Sequence, residues 1–273
     1  QMAKLEAEVG QRLFMRTPQG MQPTPEGRRL YRLFLPVVTG YQRAREQVIE
    51  ATGELNGEVR FGMIATIAQG VLVDAILEFS PAHPKVELSM TDGFSGDLID
   101  AVAVGKLDAA VVNKPRRPLT LKTETIAEED LLLVTGPAHA EVPASLGFSE
   151  LAGFKLVFPT RQHGLRAIIE SFAQAEDVDL RPSVQIDSIS AIVKLVRESD
   201  FGTLLPHVAV RGHLERGELK GHRFTSPRLR RQIVAVTDPR RPLNPAAAAF
   251  LSVLRRHLGG LGPVPAHDAD GQP

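Results

Sequence analysis

The longest regular alternation of apolar and polar positions in the chain runs from Thr24 to Ala51. Leu30, Phe34, Val37, Tyr41, Ala44, Val48 and Ala51 recur at spacings of four and three, and Arg28, Arg29, Arg43, Arg45, Glu46 and Glu50 fall off that line. Such spacing predicts an α-helix with one apolar seam. Thr24-Pro25-Glu26 supplies its start: a hydroxyl to cap the first N–H groups, a proline where a missing N–H costs nothing, and an acid in the first turn. At 1.5 Å per residue the helix would reach roughly 40 Å. Its seam must be covered, by the same helix of a second chain or by the chain's own domain. Pro36 removes one backbone bond and is expected to bend the helix near Arg32.

Two different patterns flank this helix. Before it, Met2, Leu5 and Val9 share one helical face, and Gly10 is placed to end that helix. Leu13-Phe14, the polar turn Arg16-Thr17-Pro18-Gln19-Gly20 and Met21-Gln22-Pro23 then predict a short hairpin between two helices. After Gly57 the period alternates between strand and helix. Strands are predicted over 58–64, 86–90, 107–112, 155–158, 183–186, 203–205 and 230–236, with helices over 69–79, 96–104, 165–176, 191–198, 208–214 and 245–258. Leu121–Thr135 reads as two strands joined at Glu128–Asp130. Strands with no polar face, separated by helices, imply an α/β fold whose sheet is covered on both sides. Gly259–Pro273 is rich in Gly and Pro and is expected to be disordered.

Composition narrows the classes. The chain has 273 residues, room for two domains and a connector, with 43% hydrophobic and 23% charged residues as in ordinary globular proteins. It has no cysteine, which removes disulfides, thiolate catalysis and cysteine metal sites. No apolar run reaches the roughly 18 residues of a membrane span, and no signal-peptide pattern opens the chain, so no membrane partner is expected. The net charge is zero, but residues 1–32 carry six basic against three acidic side chains.

KLEAEVGQRLFMRTPQGMQPTPEGRRL resembles the second half of the winged helix-turn-helix of the LysR-type transcriptional regulators. The matching features are Leu5-Glu6, Gly10, Leu13-Phe14, Arg16, Gly20 and Thr24-Pro25-Glu26-Gly27. The family's first two helices and the front of its recognition helix have no counterpart here. Gln1 would lie inside the recognition helix, and the chain reads as a fragment. The later rhythm FGMIAT, HPKVEL, GKLDAAVV and GTLLP resembles the same family's effector domain, a two-lobed type-2 periplasmic-binding-protein-like fold. The resemblance extends to about Leu258.

It implies residues 1–24 as the C-terminal part of the DNA-binding domain and 25–52 as a linker and dimerisation helix. It implies 58–258 as the effector domain, with lobe I about 58–136 and 237–258 and lobe II about 137–236. It also implies a bacterial, cytoplasmic homodimer or homotetramer, with double-stranded DNA as partner of the full-length protein. Gln1, Lys4, Arg16 and Thr17 are the expected DNA contacts, and Leu30, Phe34, Val37, Tyr41 and Val48 the dimer seam. The alternative is a solute-binding protein of the same bilobal fold without DNA binding.

The residues offer no enzyme. Gly93-Phe94-Ser95-Gly96 resembles a nucleophile elbow, but Asp97 stands where its second glycine belongs, and Ser95 reads more simply as a helix cap. His207 and His213 are six apart, on different helix faces, and no metal-ligand spacing, P-loop or dinucleotide motif is present. No catalytic residue, metal or cofactor is therefore expected. A cleft for a small anionic effector is better supported. In open α/β sheets ligands lie beyond strand ends, against helix N-termini. Arg161, His163 and Arg166 cluster at one such start, where positive charge opposes the helix dipole. They are expected to meet an anion, supported by Thr66 and Thr160, with Ser95 on the rim.

Overall fold

The computed structural model describes residues 2–17, 20–49, 54–139 and 142–259. The expected tail beyond 259 and Gln1 lie outside them. Helix α1 (Met2–Val9) is followed by the hairpin β1 (Phe14–Thr17) and β2 (Gly20–Pro23), paired antiparallel. The Glu6 carboxylate accepts from the Leu13 and Phe14 N–H groups at 2.7 and 3.2 Å, which ties the helix to the hairpin. The Thr24 hydroxyl donates to the Arg12 carbonyl at 2.8 Å and accepts from the Gly27 N–H at 3.0 Å. It thus caps helix α2 (Pro25–Ile49) as its position predicted. Gly27 is a packing requirement, since a Cβ there would lie 2.1 Å from the Leu13 carbonyl oxygen. Spaced features in the sequence become one small, mutually bonded unit.

Helix α2 is continuous through Pro36. Phe34, Val37 and Tyr41 are exposed, as are Tyr31, Leu33 and Val38 beside them, and Leu30 is half-buried. The bare stripe is therefore wider than the predicted seam. The side chains of Ala44 and Val48 fall outside the described set, as does Ala51.

The remainder is α/β. In chain order it comprises β3 (Gly57–Met63), then α3 (Ala65–Ile67) running through a π turn (Ala68–Leu72) into α4 (Val73–Ala82), β4 (Val86–Asp92), α5 (Ser95–Ala103) and β5 (Ala109–Asn113). Next come β6 (Lys122–Thr135), β7 (Ser145–Leu146), β8 (Lys155–Phe158), α6 (Gly164–Ala175), β9 (Val184–Gln185) and α7 (Ile189–Glu198). The fold continues through β10 (Phe201–Pro206), α8 (His207–Glu215), β11 (Lys220–Phe224), β12 (Arg230–Thr237) and α9 (Pro245–Gly259). The strand order is β4-β3-β5-β12-β6-β10-β8-β9, with β11 and β7 joined on the other edge of β6.

Two cores form along this sheet. Lobe I packs Phe61, Phe79 and Phe250 edge-to-face, with centroids 5.5 and 5.2 Å apart, among the apolar residues of β3, β5, β12, α4 and α9. Lobe II packs β8, β10 and the end of β6 against α6 and α7. Burial of such continuous apolar strands on both faces is the main stabilising term.

One sequence expectation fails. Residues 122–135 form a single strand, not two joined at Glu128–Asp130. The acidic run is not a turn because β12 pairs it in antiparallel register: Arg230 opposite Asp130, Arg231 opposite Glu129, Gln232 opposite Glu128. Charge that would break an isolated strand is neutralised across the ladder. The cores part at these residues, Ile126 and Ala127 packing in lobe I and Leu131 in lobe II, with Leu229 and Ile233 dividing likewise on the return. The strands β6 and β12 thus cross between the lobes, somewhat earlier than the boundaries expected near 136 and 236.

Candidate functional site

The crossing strands carry a buried polar centre. Arg231 has no exposed side-chain surface, and Glu129 very little. The Arg231 Nε and Nη2 lie 2.8 and 2.6 Å from Glu129 Oε1. Its Nη1 donates to Asn113 Oδ1 at 3.1 Å and its Nη2 to Thr66 Oγ1 at 3.0 Å. Glu129 Oε2 accepts from the Val208 N–H at 3.3 Å, in the first turn of α8. One ion pair therefore binds the start of α3 and the end of β5, both lobe I, to the start of α8 in lobe II. A buried pair repays its desolvation only when such additional bonds satisfy the remaining donors and acceptors, and here they do.

The pair also sets which polar groups meet where the lobes touch. A guanidinium can only donate, so Arg231 holds the Asn113 carbonyl oxygen towards itself and turns the Nδ2 donors away. Asn113 Nδ2 has no partner among the described residues, and neither have Ser95 Oγ and His163 Nδ1. All three atoms are buried. Asn113 Nδ2 and Ser95 Oγ gather at Gly164, the first residue of α6, where a Cβ would lie 2.9 Å from the one and 3.3 Å from the other. The adjacent His163 ring stands edge-on to Phe94 of lobe I, centroids 5.8 Å apart. Starts of α5 and α6, from different lobes, thus meet around unsatisfied polar atoms with almost no surface exposed. Unpaired buried polar groups are costly, which makes such a cluster a candidate for a ligand. Burial lowers the His163 pKa from its ordinary value, Asp187 acting upward and Arg231 downward.

The residues expected from sequence divide into two groups. Thr66, Ser95 and His163 come to this interlobe centre. Ser95 does not cap α5, since Phe94 occupies the cap position and no side chain caps it. Thr160 is engaged with Asp187, its hydroxyl donating at 2.6 Å and its N–H at 3.1 Å. Arg161 and Arg166 turn instead to Glu170, at 3.3 and 2.8 Å, and line a separate cavity in lobe II. Arg161 is 82% exposed, and Arg231 stands beside Thr66 where Arg161 was expected. Sequence reasoning missed Arg231, Glu129 and Asn113. The available signal was the doublet Arg230-Arg231 in an apolar strand and the complementary Glu128-Glu129-Asp130 a hundred residues earlier.

At the other end of the chain, Lys4 on α1 and Arg16 on β1 are exposed. The side chain of Thr17 lies outside the described set. Among the described residues no His, Asp or Glu cluster could hold a metal ion, and no helix is long and apolar enough to cross a membrane.

Comparison with known proteins identifies related chains. Residues 52–259 match the LysR substrate binding domain, and residues 1–28 match the bacterial regulatory helix-turn-helix protein of the lysR family. The transcriptional regulator GltR of Bacillus subtilis (strain 168) is 23% identical over 258 residues, spanning 93% of this chain and 85% of that protein. A full-length OxyR variant from Pseudomonas aeruginosa superposes with a TM-score of 0.74 at 22% identity, over 94% of this chain and 82% of that one. Full-length CbnR in complex with its target DNA superposes with a TM-score of 0.63 at 16% identity, covering 94% and 88%.

Proposed function

The chain belongs to the LysR family of bacterial transcriptional regulators, and on that premise we propose that its interlobe centre receives a small anionic effector that controls how the N-terminal unit engages DNA. The observation that carries this reading is the set of three buried, unpartnered atoms at the facing starts of α5 and α6. Asn113 Nδ2 is a donor by the constraint of Arg231, a serine hydroxyl can donate, and helix starts add free N–H groups. Three kinds of donor converge there, and such a set selects an acceptor, of which a carboxylate is the simplest small one. Glu129 neutralises Arg231, so the selection works through aimed dipoles more than through net charge.

The test is calorimetry and thermal shift of the chain against a panel of small carboxylates, sulfate and phosphate. Removing a hydrogen bond to a charged group costs roughly 1.5–3 kcal/mol, or about ten- to a hundredfold in affinity. Asn113→Ala and Ser95→Ala should each weaken the bound anion on that scale. Binding only of neutral or cationic compounds, or undiminished binding by both variants, would refute the reading.

Lys4 and Arg16, both exposed, are proposed to meet DNA phosphates together with Gln1 and Thr17, and the solved complex of CbnR, a protein of the same fold, with its target DNA is in keeping with a DNA-binding role. The exposed stripe of α2 is proposed to pair with the same helix of a second chain. Val37→Glu would place a charge in that interface, and light scattering should then report half the parent mass. An unchanged mass would assign the stripe another role.

A further inference from the structure

Two of the three cations that sequence placed at the start of α6, Arg161 and Arg166, serve neither lobe crossing nor interlobe cluster. They line a cavity of about 670 Å3 in lobe II, between α6 and the segment 178–185 that leads into and through β9. Arg166 is buried, with 6% of its side chain exposed, and its guanidinium lies over the Phe158 ring at 5.2 Å. Its Nε donates to Glu170 Oε1 at 2.8 Å, while its Nη1 is buried with no partner among the described residues. Arg161 Nε reaches the same oxygen, at 3.3 Å. Two guanidiniums therefore share one carboxylate oxygen, and the pair is one negative charge short. At the rim, Asp179 does not correct this, because Arg181 already pairs with it at 2.8 Å. Besides these charges the cavity is lined by the apolar residues Ile169, Ala173, Val178, Leu180 and Pro182 and by Gln174 and Gln185.

A buried guanidinium is normally saturated by bidentate partners. Here it is under-partnered beside an open volume large enough for a small organic molecule. We propose that this cavity is a second ligand site, distinct from the interlobe centre, for a small carboxylate carried on an apolar body. Its carboxylate bridges Arg161 and Arg166, and its body rests on Val178, Leu180 and Pro182. On this proposal Arg161 and Arg166 oppose the α6 dipole because they face a ligand outside the cleft, not between the lobes as the sequence led one to expect.

The probe is 4-fluorobenzoate on the 273-residue chain, read by fluorine NMR, with 4-fluorobenzamide as the neutral isostere. A bound resonance should appear for the acid, persist in Asn113→Ala, and lose at least tenfold in affinity in Arg166→Met. Arg161 is exposed, so Arg161→Ala tests the same site without disturbing the core, and a severalfold loss is expected. Glu170→Gln removes the competing carboxylate and should tighten binding. The proposal is overturned if the parent shows no bound resonance, if the resonance disappears with Asn113→Ala, if the amide binds as well as the acid, or if Arg161→Ala and Glu170→Gln both leave affinity unchanged.

Discussion

Arg231 and Arg166 are both buried arginines, yet the molecule holds them in opposite ways. Arg231, at the crossing of the lobes, spends each of its three nitrogens on a partner: Glu129, Asn113 and Thr66. Arg166, inside lobe II, has one bond to an oxygen that Arg161 also uses, an aromatic face beneath it and an orphaned Nη1. Saturation makes a guanidinium a structural organiser, because every direction it could offer is already fixed. Under-partnering leaves donors for something else. On the two proposals above, the distinction separates a residue that aims the ligand-facing groups from one that faces a ligand itself.

The sharpest way to break the comparison is to remove each arginine in turn. Arg231→Met leaves Glu129 buried without its counter-charge, and breaking a buried pair costs about 3–5 kcal/mol. Urea unfolding should show this as a large fall in midpoint, and Arg231→Met with Glu129→Leu should recover much of it. Arg166→Met should cost about 1 kcal/mol or less, because Glu170 is 42% exposed and keeps water and Arg161 as partners. Equal losses would erase the distinction. A larger loss at Arg166 would reverse it and make the lobe II arginine the structural one.

Much of this architecture was legible in residues 58–258. Strands such as Leu156–Phe158 and Ala109–Val112 are apolar without interruption, which only a sheet covered on both faces accommodates. The winged unit was legible for another reason: Glu6, Leu13, Thr24 and Gly27 bond or touch within a short span of chain, so their spacing carries their contacts. The crossing was not legible. Glu128–Asp130 is locally a turn signal, and only β12, a hundred residues later, turns it into a ladder. The direction of a side chain at a helix start was equally hidden. Arg161, His163 and Arg166 share a local signal, but adjacent positions on a helix start point apart, and His163 alone faces lobe I.

The smallest expected effect sharpens the same contrast with two histidines. Burial lowers the pKa of both His163 and His222 from the ordinary value. His222 is saturated: its Nδ1 donates to the Pro143 carbonyl at 2.7 Å, which leaves Nε2 to accept from the Thr135 hydroxyl at 2.8 Å. His163 keeps Nδ1 unpartnered, with Phe94 against its ring and the charges of Asp187 and Arg231 nearby. With the folded pKa depressed, the unfolded chain binds more protons just below about pH 6.5. Stability contributed by either neutral ring is therefore full above that pH and lost as pH falls through it. Each histidine adds a fraction of the limiting slope of about 1.4 kcal/mol per pH unit. His163→Gln and His222→Gln should both flatten the acid side of a stability profile. They should differ in ligand binding. An anion beside Nδ1 favours protonated His163, so carboxylate affinity at the interlobe centre should rise between pH 7 and 5.5 in the parent and in His222→Gln, and stay flat in His163→Gln. Calorimetry at the two pH values decides the matter, because a rise that survives in His163→Gln would place the proton elsewhere and the unpartnered nitrogen outside the site.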